Sequence, residues 1–276
     1  MNTHQQPRAG QLIRDWRRLR RLSQLDLALE AEISQKHLSF VESGRSLPSR
    51  DMILLLCETL GVPLRERNAV LLAGGYAPVF LERAWEDVQL AAARAAVETI
   101  LKGHEPYPAL AVDRHWTLLA ANDAVAPLMG LAADAELLRP PVNVLRLSLH
   151  PHGLAPLIDN LGEWRAHLLA RLREQIRATA DRTLTSLLDE LEDYPAPPAG
   201  HAPAQGEAAI AVPLRLRMGD QVLSFISTTT VFGTPVDITL SELALETFFP
   251  ADAATRAALQ SVPAQSKSNK DHADVR

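Results

Sequence analysis

Leu12, Trp16 and Leu19 recur at the three- and four-residue spacing of one helical face, which predicts a first helix over about 11–21. Ser23 with Asp26 three residues on reads as an approximate capping box, opening a second helix that runs to about Glu30 with Leu27 and Ala28 inward. Ser34 is placed to cap a third helix over 34–42, and Gly44 suits its C′ position. In that third segment Ile33, Leu38 and Val41 supply one apolar face, while Gln35, Lys36, Ser39 and Phe40 point elsewhere. Pro48 precedes a fourth helix, Ser49 to Leu60, stopped by Gly61 and Pro63. A fifth spans Leu64 to about Ala73 and ends at Gly74-Gly75.

The pattern then changes. LERAWEDVQLAAARAAVETILKG predicts one long alanine-rich helix over 81–102, serving as a connector, a dimer-forming helix or a packing helix of a second domain. From Pro106 onward, PALAVD and HWTLLAAN are short apolar runs that read as a hairpin turning at Asp113-Arg114. Helical pieces are expected from Asp123 to Met129 and from Gly162 to Glu192, then a Pro/Ala/Gly-rich loop over 194–209. Two or three more strands and a helical segment follow, with Gly219-Asp220 as a hairpin turn. Residues 257–276 are polar and expected to form a disordered tail.

Composition narrows the classes. The 276 residues suffice for two domains, and no apolar run approaches the roughly 20 residues that cross a bilayer. The N-terminal segment lacks the apolar core of a secretory signal. Cys57 is the only cysteine, so no internal disulfide and no cysteine-based zinc site is possible, and a buried thiol in a reducing cytoplasm is expected. The net charge of −5 hides an asymmetry: residues 1–63 carry nine Lys/Arg and seven Asp/Glu, a balance of +2, against −7 for the remainder. Arg14, Arg17, Arg18, Arg20 and Arg21 crowd one stretch of the head. A basic head on an acidic body points to an anionic partner for the head, or only to a solvated helix face.

The second and third helices, joined through AEIS, have the form of a helix-turn-helix. A helix entering the major groove needs one buried stripe and one polar stripe without internal partners. Gln35 suits adenine, Lys36 suits guanine O6/N7, and Phe40 suits a thymine methyl. Ser34, His37 and Ser39 share the segment; His37 fits a phosphate contact, a base contact or no contact. Gln24, aided by the N-terminal amides of the second helix, and Ser43 and Arg45 beyond the third are placed for phosphates. The stretch LSQLDLALEAEISQKHLSFVESGRSLPS resembles the helix-turn-helix of the phage-repressor (Xre) family, with Ser23-Gln24, Ala28, Leu38 and Glu42-x-Gly44 in the family's places over roughly 11–64. The resemblance implies a five-helix lambda-repressor-like bundle. It places Gln24 at a phosphate-contacting position and Gln35, Lys36 and Phe40 at base-reading ones, and it matches Arg17 and Glu42 to an internal ion pair. Phe40 departs from the pattern, since an apolar ring cannot hydrogen-bond a base.

Three later stretches, 104–122, 143–160 and 227–252, resemble the ligand-binding domain of MmyB-like transcription regulators. That resemblance implies a PAS-like domain, an antiparallel sheet with flanking helices around a cavity, and an apolar, fatty-acid-like ligand. Leu118, Leu145, Leu149, Phe225 and Ile226 suit apolar walls. Arg146 suits an acid head group, His150 stands one helical turn on, and Asn122, Asn143 and Asn160 are further polar candidates. Each of these polar residues also suits a structural tie to backbone.

Enzyme chemistry finds little footing. HPHG at 150–153 sets two histidines two apart, without an Asp, Glu or Cys ligand at a familiar spacing. There is no G-x-S-x-G, no phosphate-binding loop and no H-E-x-x-H. The expectation is therefore a cytoplasmic, non-enzymatic transcription regulator with no metal or cofactor: residues 1–75 bind operator DNA, 76–103 connect or dimerise, and 104–256 bind a small apolar effector. A homodimer follows from the few base contacts of a single helix-turn-helix. The alternatives are a second domain that only dimerises or docks a protein partner, and an enzyme carrying a helix-turn-helix.

Overall fold

The computed structural model describes residues 8–195, 212–233, 235 and 237–261. In chain order these form α1 (Ala9–Leu19), α2 (Gln24–Glu30), α3 (Gln35–Glu42), α4 (Arg50–Thr59), α5 (Leu64–Ala73) and α6 (Ala91–Gly103). Next come β1 (Ala109–Val112), β2 (Leu118–Ala121), α7 (Ala126–Met129), α8 (Val144–Leu149), α9 (Leu161–Thr179) and α10 (Arg182–Asp193). The rest are β3 (Leu214–Met218), β4 (Gln221–Val231), α11 (Ile238–Ser241), β5 (Ala244–Pro250) and α12 (Ala253–Ser261). The chain divides into two compact units. Among the described residues, the first holds those up to Ala91 together with Arg171–Leu187 and those of 231–243; the second holds Ala92–Ala170, those of 188–230 and those from Ala244.

In the first unit, α1–α5 pack around Ile13, Leu27, Leu38, Val41, Ile53, Leu56, Cys57 and Leu71. The expected caps hold: Ser23 and Asp26 form a reciprocal capping box, Ser34 caps α3, and Gly44 and Gly61 adopt positive φ just past α3 and α4. Ser49, expected as the first residue of the fourth helix, instead caps α4. Burial pushes the Cys57 thiol up to about 11, the inert packing residue expected. Gly10 is where α1 meets α3: a Cβ there would lie 2.0 Å from the carbonyl oxygen of Val41.

Beyond α5 the predicted long helix is shorter than expected. Leu81 forms a parallel bridge with Asp237, Ile238 N–H donates to Leu81 C=O at 2.8 Å, and the Thr239 hydroxyl donates to Arg83 C=O at 2.6 Å. These bonds hold 81–83 extended. Asp87 then accepts from Gln89 N–H, a single 3-10 turn spans Val88–Leu90, and α6 starts at Ala91. Asn68 of α5 ties the preceding segment down, donating to Phe80 C=O at 2.7 Å and accepting from Val79 and Phe80 N–H. Arg65 of α5 reaches both Glu242 and Glu82, and Arg83 pairs with Asp237.

The second unit is built on a five-stranded antiparallel sheet in the order β2-β1-β5-β4-β3. The two predicted hairpins are present. In the first, the Asp113 carboxylate accepts from His115 and Thr117 N–H, both at 2.8 Å. In the second, Gly219 turns with φ 58° between β3 and β4. The helix expected from Asp123 begins only at Ala126, and the one expected over 162–192 is broken at Ala180, which takes a left-handed φ of 54° between α9 and α10. Residues 257–261, expected in the tail, continue α12; the tail beyond Ser261 and most of the Pro/Ala/Gly-rich loop lie outside the described residues.

Gly10→Ala is expected to destabilise the helical bundle by about 1–3 kcal/mol, because backbone rather than a mobile side chain must give way. Gly162→Ala, with nothing within 4 Å of its Cβ, should leave stability unchanged or slightly raised. Denaturant unfolding of both variants checks the contrast; equal stabilities would refute the close approach of α1 to α3.

Candidate functional site

The third helix is held by its inner face and bare on its outer one. Leu38, Val41 and Glu42 are buried, while Gln35, Lys36 and His37 are exposed and Ser39 and Phe40 half-buried. Ser34 opens the helix by accepting from His37 N–H at 3.2 Å. Past its end, Ser43 and Arg45 are exposed; the Ser43 hydroxyl donates back to Phe40 C=O at 3.2 Å. The nine residues read from the sequence as DNA-facing thus fall on α3, its two ends and the first residue of α2.

The anchor beneath this face is an ion pair. Arg17 Nε donates to Glu42 Oε1 at 2.6 Å and its terminal nitrogen to Oε2 at 2.8 Å, with the two side chains only 10% and 2% exposed. A further nitrogen of Arg17 caps Leu22 C=O at 2.6 Å. Gln24 completes the set by donating to Glu42 Oε2 at 2.7 Å. Burial by itself would raise the Glu42 carboxyl, but the hydrogen bonds from Arg17 and Gln24 outweigh it and hold the group below its ordinary value. The Glu42 hydrogen bond in turn raises Arg17.

Two expectations about charge need correcting. The amides opening α2 are not all available to a phosphate: Asp26 N–H donates to the Ser23 hydroxyl, and Ser23 N–H donates to the Asp26 carboxylate. These bonds from Ser23 hold the Asp26 carboxyl below its ordinary value, so a negative charge stands at that helix end. Of Gln24's two amide hydrogens, one is engaged with Glu42. The arginine cluster is also divided: besides Arg17, Arg20 is an internal tie, reaching Leu60, Gly61 and Ala178 carbonyls at 3.0–3.2 Å and lying over the Trp16 ring.

Lys36 and Arg45 differ from both. Lys36 Nζ and Arg45 Cζ each lie 5.8 Å from the centroid of the Phe40 ring, and among the described residues neither meets a carboxylate.

In the second unit the polar ligand candidates all have internal partners. Buried Asn122 accepts from Ala109 N–H and donates to Leu101 and Tyr107 carbonyls, fixing the start of β1. Asn143 caps α8 and donates to His115 C=O at 2.8 Å. Asn160 joins Pro213 C=O, Arg215 N–H and Glu163. Arg146 makes a bidentate pair with Glu190, whose Oε1 also accepts from the Tyr194 hydroxyl at 2.6 Å. The His150 ring stands edge-on to Tyr194, and its Nδ1 accepts from His152 N–H. Glu190 and Tyr194 were missed from sequence; only α10 folding back beside α8 brings them to Arg146 and His150. Phe225 is fully buried beside Phe248, and Leu145 and Leu149 are buried with it in the unit's core. Among the described residues no group of three His, Cys, Asp or Glu is placed to hold a metal, and no helix is long and apolar enough to cross a membrane.

The family model described as the MmyB-like transcription regulator ligand binding domain matches residues 93–262. The helix-turn-helix family model matches residues 13–67, which include α2, α3 and the Arg17–Glu42 pair. No curated protein matches the chain.

A carboxyl held low in the folded state stabilises above its unfolded value, and that contribution disappears as pH falls through the folded one. The head should therefore lose stability on acidification below the ordinary glutamate value of 4.5. Glu42→Gln should flatten that acid limb. At neutral pH, Glu42→Ala should cost on the order of 3–5 kcal/mol by stranding buried Arg17. Unfolding midpoints between pH 7 and pH 3 check both, and an identical acid limb in Glu42→Gln would refute the assignment.

Proposed function

The chain belongs to the family of MmyB-like transcription regulators, with a helix-turn-helix head, and from that premise we propose a one-component regulator that reads operator DNA with α3 under the control of a small apolar effector. The observation carrying the DNA reading is the division of α3 into a face fixed by Leu38, Val41 and Glu42 and a face presenting Gln35, Lys36 and Phe40. Such a helix enters the major groove with Gln35 toward adenine, Lys36 toward guanine and Phe40 toward a thymine methyl. Ser34, His37 and Ser39 line the same approach, while Ser43, Arg45 and the remaining amide hydrogen of Gln24 serve phosphates and set register. Two copies on a palindrome, with half-sites ~34 Å apart, double these contacts, and the segment 76–103 is the proposed connector and dimer element. The protein acts in the cytoplasm in this reading.

For the effector we take a fatty-acid-like molecule held by the C-terminal domain, with Phe225 among apolar walls and Arg146 and His150 nearest its head group. Arg146 is already neutralised by Glu190, so a carboxylate ligand must displace or share that partner. This engagement, and the internal bonds of Asn122, Asn143 and Asn160, favour a second reading in which the C-terminal domain dimerises or docks a protein and takes no ligand.

Selection of duplex DNA from a random pool by the full-length protein should recover a palindrome. Gln35→Ala should then lose discrimination at one base pair per half-site, about 1–3 kcal/mol. Gln24→Ala should weaken all sequences alike. If neither variant alters binding, α3 is not the reading helix. Extraction of the purified protein for mass spectrometry, with thermal shifts against fatty acids, separates the two readings of the C-terminal domain: no bound molecule and no shift would sink the sensor.

A further inference from the structure

We propose that Phe40 is a positioning residue, whose ring holds Lys36 and Arg45 as one fixed pair of cations at the end of α3. This rests on the reading of α3 as the groove helix. Lys36 stands four residues before Phe40, on the same helical face, and its ammonium lies 5.8 Å from the ring centroid. Arg45 arrives from the other direction. The Phe40 carbonyl accepts from Arg45 N–H at 2.9 Å, from Ser46 N–H at 3.1 Å and from the Ser43 hydroxyl at 3.2 Å. Gly44, at φ 74°, permits this reversal, so the backbone of Arg45 is delivered beside the ring whose carbonyl terminates the helix. Its guanidinium then lies 5.8 Å from the same centroid.

Two like charges drawn to one ring repel each other, and among the described residues no acid offsets either of them. The negative face of the ring compensates in part, and a polyanion completes the compensation. Arg17, Arg20, Arg65, Arg83 and Arg146, by contrast, all have carboxylate or carbonyl partners. The ring thus keeps these two cations at a set separation. The base contact of Lys36 and the phosphate contact of Arg45 are then made in one register.

The test is a double-mutant cycle on the duplex selected by the full-length protein. Phe40→Leu, which keeps bulk and loses the ring, should weaken binding about five- to thirtyfold, because two cations no longer held by the ring must be ordered on binding. Phe40→Tyr should restore most of it. In an Arg45→Ala background, and again in Lys36→Ala, the cost of Phe40→Leu should shrink severalfold. Phe40→Met and the unfolding midpoints of all variants are measured alongside, so that a loosened helix is recognised as such. Equal losses from Phe40→Leu in all three backgrounds mean that the ring makes only its own base contact and holds neither cation, which overturns the inference while leaving the reading helix intact. Failure of the wild-type chain to select any sequence overturns the DNA reading and the inference with it.

Discussion

The head depends on one buried ion pair. Arg17 comes from α1, Glu42 from the last turn of α3, and Gln24, bonded to the same carboxylate, opens α2. Three helices therefore converge on two oxygens. A pair so buried adds little net stability against an apolar replacement, because both charges lose their water. Its effect is on geometry. The bidentate fork permits few relative positions of α1 and α3, and the close approach at Gly10 leaves no slack on the neighbouring turn. A reading helix must be placed to within a fraction of an ångström to match base edges, and apolar packing by Leu38 and Val41 would tolerate more slippage than that.

The family-matched region 93–262 is not one compact body. Its segments Arg171–Leu187 and Val231–Leu243 belong to the unit that contains the helix-turn-helix. The second of these is tied to α5 by Arg65–Glu242 and to the strap after α5 by Arg83–Asp237 and the Leu81 bridge. It also joins β4 to β5 in the chain, so both strands run directly into residues bonded to α5. Coupling between a ligand site and a DNA site requires an element whose state both can bias. The chain therefore passes from one unit to the other at the ends of both segments, besides the connector 76–103 that a linear domain order would suggest.

Local signals were legible and non-local ones were not. Ser23 and Ser34 cap their helices because a hydroxyl one residue ahead of a helical run has nearby amides to satisfy. The bare face of α3 followed from spacing alone. The extended run at 81–83 did not: its sequence is a good helix former, and residues 237–239, more than 150 residues away, hold it open. Asn122 illustrates the same limit from the polar side. An Asn after an apolar strand fits a ligand contact or a backbone tie equally, and the difference lies in whether Leu101 and Tyr107 carbonyls arrive beside it. Arg146 could be singled out as a cation among leucines, but its partner Glu190 lies on a different helix.

Charge counting does not distinguish the head's cations that have internal partners from those that lack them. Five arginines between 14 and 21 suggested a basic face on α1, yet Arg17 and Arg20 are committed to Glu42 and to backbone carbonyls. Asp26 sets a negative charge at the opening of α2, opposing phosphate there. At α3, Lys36 and Arg45 lack a carboxylate partner among the described residues and lie over one aromatic ring. A cation already hydrogen-bonded to a carboxylate offers a phosphate little, since the incoming anion must first compete with the resident one. The attraction of the head for DNA is therefore set by which charges lack partners. By that measure Lys36 and Arg45 count in full, while Arg17 and Arg20 do not, although they stand in the arginine-rich stretch.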